Sequence, residues 1–281
     1  VDKHTLQQRV VSGIIGLLIV YVILYFLNSL FFNFVVALIC VIGVCELSKI
    51  VLGKFSALQC ICCLTAIFIP LWKYLEHVLV LMLLMLFCLC LCLFFERKKI
   101  AISNGLFVFA MAVGISLSFS CVIFVRDILP TKHNEGLLVI VVLFASAWLT
   151  DIFAFFVGSV CGKHKLAEDV SPKKTKEGVA GGICFSVVCC VLFAFYAIKS
   201  CLVCGCGYIS TTQLLVFLVV IFLIASALAV FGDLFMSLVK RQFGVKDFGR
   251  IMPGHGGVLD RLDSLIFVAP YFFVLVSVLG Q

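Results

Sequence analysis

The stretch SLVKRQFGVKDFGRIMPGHGGVLDRLDSL (237–265) concentrates charge in a chain that is poor in it. It holds Lys240, Arg241, Lys246, Asp247, Arg250, Asp260, Arg261 and Asp263, with Asp233 just before it, between the apolar runs 213–236 and 265–279. Hydrophobic residues make up 64% of the 281 residues and charged residues 12%, against roughly 45–50% and about 25% in a soluble domain. This is the composition of a polytopic membrane protein, in which the charged stretch reads as a loop at one membrane face.

A spanning helix needs about 20 mostly apolar residues. The runs that qualify or nearly qualify are 11–30, 31–52, 57–71, 77–95, 101–125, 136–160, 179–198, 213–236 and 265–279. The expected fold is an all-α, polytopic transmembrane helix bundle of about nine spans with a cytoplasmic N-terminus. The first run carries no small-residue cleavage motif and is read as a retained span. The third is short, and one of the first three is expected to be partly re-entrant or differently bounded.

In this topology all of the 21 Lys and Arg residues except Lys73, Arg126, Lys132 and Lys199 fall inside, in line with the positive-inside bias. The net charge of +7 then reports orientation, and no nucleic-acid partner is expected. Both charged loops, 161–178 and 240–263, face the cytoplasm. No internal repeat is visible, and no loop is long enough for a soluble domain. Most of the 16 cysteines lie inside apolar runs, where a thiol behaves as a small hydrophobe. Cys201, Cys204 and Cys206 have partial metal-ligand spacing but no fourth ligand nearby.

The upstream loop reads TDIFAFFVGSVCGKHKLAEDVSPKKTKEGVAGG (150–182). Asp151 lies near the cytoplasmic end of an apolar run, and an intramembrane carboxylate is a functional candidate. Lys163, His164, Lys165, Lys173, Lys174 and Lys176 form a cationic segment around Ser171 and Pro172. The following EGVAGG is expected to start a helix whose free N–H groups and close-approach glycines suit a phosphate. Downstream, Asp233 is expected in the last turn of its span. Asp260 and Asp263, three apart, are expected to share a helix face. Three converging carboxylates suit Mg²⁺ held partly by substrate phosphates, and His255 among glycines suits a substrate-facing loop. Acidic clusters with lysine-rich loops describe metal-assisted phosphoryl or nucleotidyl transfer. A cap with local ion pairs at Asp260–Asp263, or an anionic-lipid patch at the lysines, is the structural alternative.

At these residues the chain resembles the phosphatidate cytidylyltransferases, or CDP-diacylglycerol synthases. The matching pattern is Ser237, Lys240, Arg241, Lys246, Asp247, His255, Gly256, Gly257, Asp260, Arg261 and Asp263, preceded by GKHK and SPKKTKEG. The resemblance covers roughly 148–265. It divides the chain into poorly matched helices over 1–135 and a catalytic part over 136–281. Phe153 and Phe155 stand where Gly and Tyr are expected, Lys176 where Trp is common and Met236 where Glu is frequent.

The resemblance implies that CTP and phosphatidic acid give CDP-diacylglycerol and pyrophosphate, with Mg²⁺ and a second metal or K⁺ as an open addition. It places the protein in membrane lipid, in the bacterial inner (cytoplasmic) membrane, and leaves a homodimer open. The expected metal ligands are Asp233, Asp260 and Asp263. Lys240, Arg241 and Asp151 join Asp233 and Asp260 as catalytic candidates. Lys163, Lys165, Ser171, Lys173, Lys174, Ser237, Lys246, His255 and Arg261 are the phosphate-binding candidates. Two unit negative charges about 4 Å apart repel by about 4 kcal/mol at an effective dielectric near 20, so cations must offset the approach of two anions. Rival functions are an anion transporter, which predicts charge at midplane and inverted repeats, a CDP-alcohol phosphotransferase, which needs more aspartates in one helix, and a structural membrane protein, which leaves both loops unexplained.

Overall fold

The structure, a computed structural model, describes residues 16, 18, 20–53, 55–71, 78–129, 135–202, 210–251 and 256–279. The elements are α1 (Leu30–Leu52), α2 (Ala57–Phe68), α3 (Val78–Glu96), α4 (Ile102–Ile128), α5 (Glu135–Cys161), β1 (Lys165–Ala167), β2 (Ser171–Thr175), α6 (Lys176–Leu202), α7 (Thr211–Gln242), α8 (Leu259–Leu262) and α9 (Leu265–Leu279). An apolar run in lipid must satisfy its backbone internally, and helix is the outcome here. The fold is that of an all-α membrane protein carrying one small hairpin.

Among the described residues five helices are long and apolar enough to cross a membrane: α1, α4, α5, α6 over Lys176–Ala197, and α7. The 23 residues of α1 extend ~35 Å at 1.5 Å per residue, enough for a hydrocarbon layer about 30 Å thick. Shorter apolar helices lie at α2, at Val80–Glu96 and at α9. With 12 residues, α2 stops three residues before the expected end of its run and falls short of a span. Much of the expected first span lies outside the described residues.

Two expectations change. The charged loop 161–178, read only as a cationic connection, contains a hairpin: β1 and β2 pair antiparallel, Lys165 opposite Thr175 and Ala167 opposite Ser171. Asp233 is not in the last turn of its helix, because α7 continues to Gln242. Nothing in DLFMSLVKRQ breaks a helix; Gly244 follows at φ +68°, the left-handed conformation that commonly closes one.

The chain forms two compact units, Val1–Ile123 with Gln242–Leu262, and Phe124–Arg241 with Asp263–Gln281. In the first, α1 packs on α2, α2 on α3, and α8 touches α1. Val44, Leu47, Leu58, Leu89 and Ile115 are fully buried there. Ser56 caps α2 by accepting from Gln59 N at 3.3 Å, and Glu96 Oε1 accepts from Ala57 N at 3.3 Å.

In the second unit, α5 and α6 pack along their length, and α9 packs on α5. The reason is small residues on both sides, the device that lets membrane helices approach closely. A Cβ on Gly182 would stand 2.7 Å from Ala154 Cβ and 2.7 Å from Thr150 O; one on Gly178 would stand 2.9 Å from Gly158 Cα. The glycines of EGVAGG therefore admit a neighbouring helix. A buried hydroxyl crosses the same seam: Ser186 Oγ of α6 donates to Ser146 O of α5 at 3.2 Å, and Thr150 Oγ1 donates to the same carbonyl from within α5 at 2.6 Å. Tyr271 Oη donates to Ile221 O at 3.2 Å, joining α9 to α7.

Gly182→Leu should lower stability by about 1–3 kcal/mol or more, the scale of overpacking, read as a lower thermal midpoint of detergent-solubilised protein by size exclusion. Gly114→Ala, where a Cβ meets nothing within 4 Å, should leave that midpoint nearly unchanged.

Candidate active site

The charged cluster of the second unit is assembled by four segments of the chain. Helix α7 carries Asp233, Ser237, Lys240 and Arg241, spaced 4, 3 and 1 apart and so displayed over about one face. The strand β2 supplies Lys174, and α5 supplies Asp151. The turn between α8 and α9 supplies Asp263 and Ser264. At Gly232, next to Asp233, a Cβ would stand 3.0 Å from Asp263 O and 3.2 Å from Ser264 Cα. The missing side chain thus lets the turn reach the helix. Below this point Phe231, Phe235 and Phe267 pack ring against ring, with centroids 5.0–6.4 Å apart.

Burial separates the two adjacent lysines of β2, where Pro172 and Lys173 are exposed, Lys174 is half-buried and Thr175 is buried. Lys173 is exposed while Lys174 turns inward, and its ammonium pairs with Asp233 Oδ2. Lys240 Nζ lies 4.0 Å from Asp263 Oδ2. Ser264 Oγ donates to Asp151 Oδ2 at 2.9 Å, and Ser264 N to Asp263 Oδ1 at 2.8 Å. Burial and the neighbouring Asp233 carboxylate push the Asp263 carboxyl well above the usual range, against the pull of Lys240; Asp151 adds to the rise. The cluster is an excess of carboxylate held by two lysines and a hydroxyl. Among the described residues of this unit no three acids, histidines or cysteines converge as a metal-holding group; the acids face lysines instead.

The hairpin is pinned at both ends. Arg241 Nε donates to Val170 O at 3.1 Å. Glu177 accepts from Lys163 N at 3.1 Å and from His164 N at 3.1 Å, and contacts His164 Nδ1 at 2.5 Å. Thr175 Oγ1 accepts from Gly178 N at 3.2 Å, capping α6. This occupies part of the helix terminus that the sequence suggested for phosphate. Lys163, Lys165 and Lys173 are exposed; Ser171 and Ser237 are half-buried.

Asp260 belongs to the first unit. Its Oδ2 accepts from Phe248 N at 2.8 Å and Gly257 N at 3.0 Å. The short α8 ends at Leu262, so Asp263 lies outside it and the expected shared helical face of Asp260 and Asp263 does not form. The turn chemistry of DRLDS, with Ser264 N held by Asp263 Oδ1, ends the helix first. Lys246 and Arg261 are exposed. His255 lies outside the described residues, as do Cys204 and Cys206. Met236 is fully buried, which accounts for an apolar residue where an acid was anticipated. Phe153 stacks on Phe185 across α5 and α6.

Ser264 and Glu177 were missed from sequence, and so was Glu46. Glu46, 5% exposed inside apolar α1, accepts from Val258 N at 3.1 Å and Leu259 N at 2.9 Å. The signal was available: a carboxylate within VIGVCELSKIVL, where charge is costly.

The cytidylyltransferase family profile matches residues 7–279. Relatives include a phosphatidate cytidylyltransferase of Staphylococcus saprophyticus, 43% identical over 144 residues, 51% of this chain and 50% of that protein. One from Bacillus subtilis is 42% identical over 133 residues, 46% and 44% of the two chains. One from Staphylococcus haemolyticus is 39% identical over 143 residues, 51% and 50%. The chain spans about half the length of the curated relatives it matches. With nearly its whole length matched by one profile, the chain belongs to the cytidylyltransferase family.

Proposed function

We propose that this chain is an integral membrane nucleotidyltransferase that condenses CTP with phosphatidic acid, giving CDP-diacylglycerol and pyrophosphate in phospholipid biosynthesis. A phosphatidate oxygen attacks the α-phosphorus of CTP, the bond to the β-phosphate's bridging oxygen breaks, and pyrophosphate leaves with the electron pair. The observation that carries the reading is the cluster of Asp151, Asp233 and Asp263 answered by Lys174 and Lys240.

The residues present fit Mg²⁺. The donors are anionic oxygens, which a hard divalent ion takes, and the three acids of the cluster, Asp151, Asp233 and Asp263, outnumber the two lysines that face them. Asp233 and Asp263 would hold the ion; Asp260 is a further ligand on the strength of the sequence pattern. When bound, Mg²⁺ screens the triphosphate and stabilises charge on the transferring phosphoryl group.

The chain's own cations do the rest. Lys174 and Lys240, now paired with carboxylates, bind phosphate oxygens when substrate enters, and Arg241 steadies the pyrophosphate. Lys163, Lys165, Lys173 and Lys246 attract both anions to the face, with Ser171, Ser237, His255 and Arg261 as further phosphate contacts. Asp151 orders the cluster through Ser264. We place all of this at the cytoplasmic surface of a bacterial inner membrane, in a bundle of about nine spans, so that acyl chains stay in lipid while the headgroup meets the nucleotide.

With purified protein in phosphatidic-acid micelles, transfer of label from CTP into chloroform-soluble lipid should fall about 100-fold or more in Asp233→Asn. Parent-like activity in a folded variant excludes the metal role. Lys240→Ala should raise the apparent KM for CTP or phosphatidic acid about 10-fold or more, the scale of a lost charge-assisted contact of ~1.5–3 kcal/mol; unchanged constants remove it from phosphate binding. Chelation with EDTA should abolish turnover and excess Mg²⁺ should restore it; turnover that survives chelation rules out the divalent ion.

A further inference from the structure

Glu46 is the buried carboxylate that the proposed reaction does not use. It lies on α1, in the same compact unit as the segment 242–262, and its two oxygens accept from the consecutive amides of Val258 and Leu259. The same carboxylate fills the space beside two glycines. A Cβ on Gly257 would stand 2.5 Å from Oε2 and 2.6 Å from Oε1, and one on Gly249 would collide with Oε1. Leu259 packs its Cδ1 3.4 Å from where a Cβ of Gly43 would be, one turn before Glu46 on α1. Asp260 closes the loop from within, through Phe248 N and Gly257 N. Gly256, at φ +91°, makes the bend in a conformation that L side chains rarely adopt.

We infer that Glu46 is a positioning residue: its carboxylate anchors the backbone at 257–259 to helix α1 and thereby fixes Asp260. This rests on the cytidylyl-transfer reading, in which Asp260 serves the metal. A carboxylate inside an apolar helix costs free energy unless hydrogen-bonded, and two main-chain donors supply its partners. An ionised carboxylate offers acceptors only. Glu46→Gln keeps the shape but turns an NH₂ group against one of the two N–H donors.

The test uses the full chain in detergent with phosphatidic acid, comparing Glu46→Gln, Gly257→Ala and Asp260→Asn with the parent. Without metal or nucleotide, amide hydrogen exchange over 256–262 should be about tenfold faster or more in Glu46→Gln, with α5 and α6 unchanged. Mn²⁺ binding, followed by electron paramagnetic resonance, should weaken about 10- to 100-fold, the scale for losing a residue that orients a metal ligand. Parent-like exchange at 256–262 overturns the inference. So does faster exchange with unaltered Mn²⁺ affinity, since Glu46 would then be structural only. If Glu46→Gln does not fold, Gly257→Ala decides by the same two readouts, because its methyl group displaces the carboxylate from the loop side. Parent-like Mn²⁺ affinity in Asp260→Asn removes the reading of Asp260 and this inference with it. Loss there with a parent-like Glu46→Gln removes the inference alone.

Discussion

The pairing of Lys174 with Asp233 is the constraint from which the second unit is built. A carboxylate on an apolar helix must be answered, and the answer comes from β2. Lys174 turns toward α7 while Lys173 is exposed, and Thr175, one residue further, is buried as the cap of α6. The pair's worth is compensation more than net stability. A solvent-exposed ion pair contributes about 0–1 kcal/mol, whereas stripping one partner from a buried pair costs about 3–5 kcal/mol; Lys174 and Asp233, 19% and 21% exposed, lie between the two cases. Arg241, two turns beyond Asp233, holds the hairpin at Val170 O, so one face of α7 positions the whole charged loop.

Such a cluster needs a rigid support, and the support is made of small residues. Gly158, Gly178 and Gly182 let α5 and α6 approach until the Ser186 hydroxyl of α6 reaches the Ser146 carbonyl of α5. Asp151 follows Thr150 on that seam, and Gly232 brings the 263–264 turn against α7. The close approaches are therefore what bring Asp151, Asp233 and Asp263 within reach of one another. A cavity or a clash at these glycines would displace charge and packing together.

The long apolar runs made the helices legible, because in a chain this hydrophobic only internal hydrogen bonding satisfies the backbone. Ends were less legible: α7 runs past Asp233 because polarity alone does not stop a helix, and α2 ends early, just before Ile69 and Pro70. The hairpin at 165–175 escaped notice because KLAEDVSPKKT has no apolar alternation; it is held by Glu177, Arg241 and Asp233, all outside the strands. Most of the charged residues of the candidate site were legible as a spaced pattern. Glu46 was visible as a costly acid in a hydrophobic run, but its partners were not, since a lone acid says nothing of which distant amides it will meet. The glycines of EGVAGG were legible as close-approach positions, but a sequence does not reveal whether a ligand or a helix approaches.

The acids of the two units are neutralised by different means, and the difference bears on their roles. Glu46 and Asp260 accept main-chain N–H groups, partners that cannot leave without unfolding the loop. Asp233 and Asp263 face lysine ammoniums, which sit on flexible stems and are as well suited to phosphate as to carboxylate. A carboxylate neutralised by a mobile cation can exchange it for another cation when an anionic substrate draws the lysine away. One neutralised by backbone is already committed to holding a shape. On this argument Asp233 and Asp263 are the acids suited to exchange one cation for another. Asp260, with Oδ2 committed to Phe248 N and Gly257 N, must carry a structural duty alongside any contact with metal.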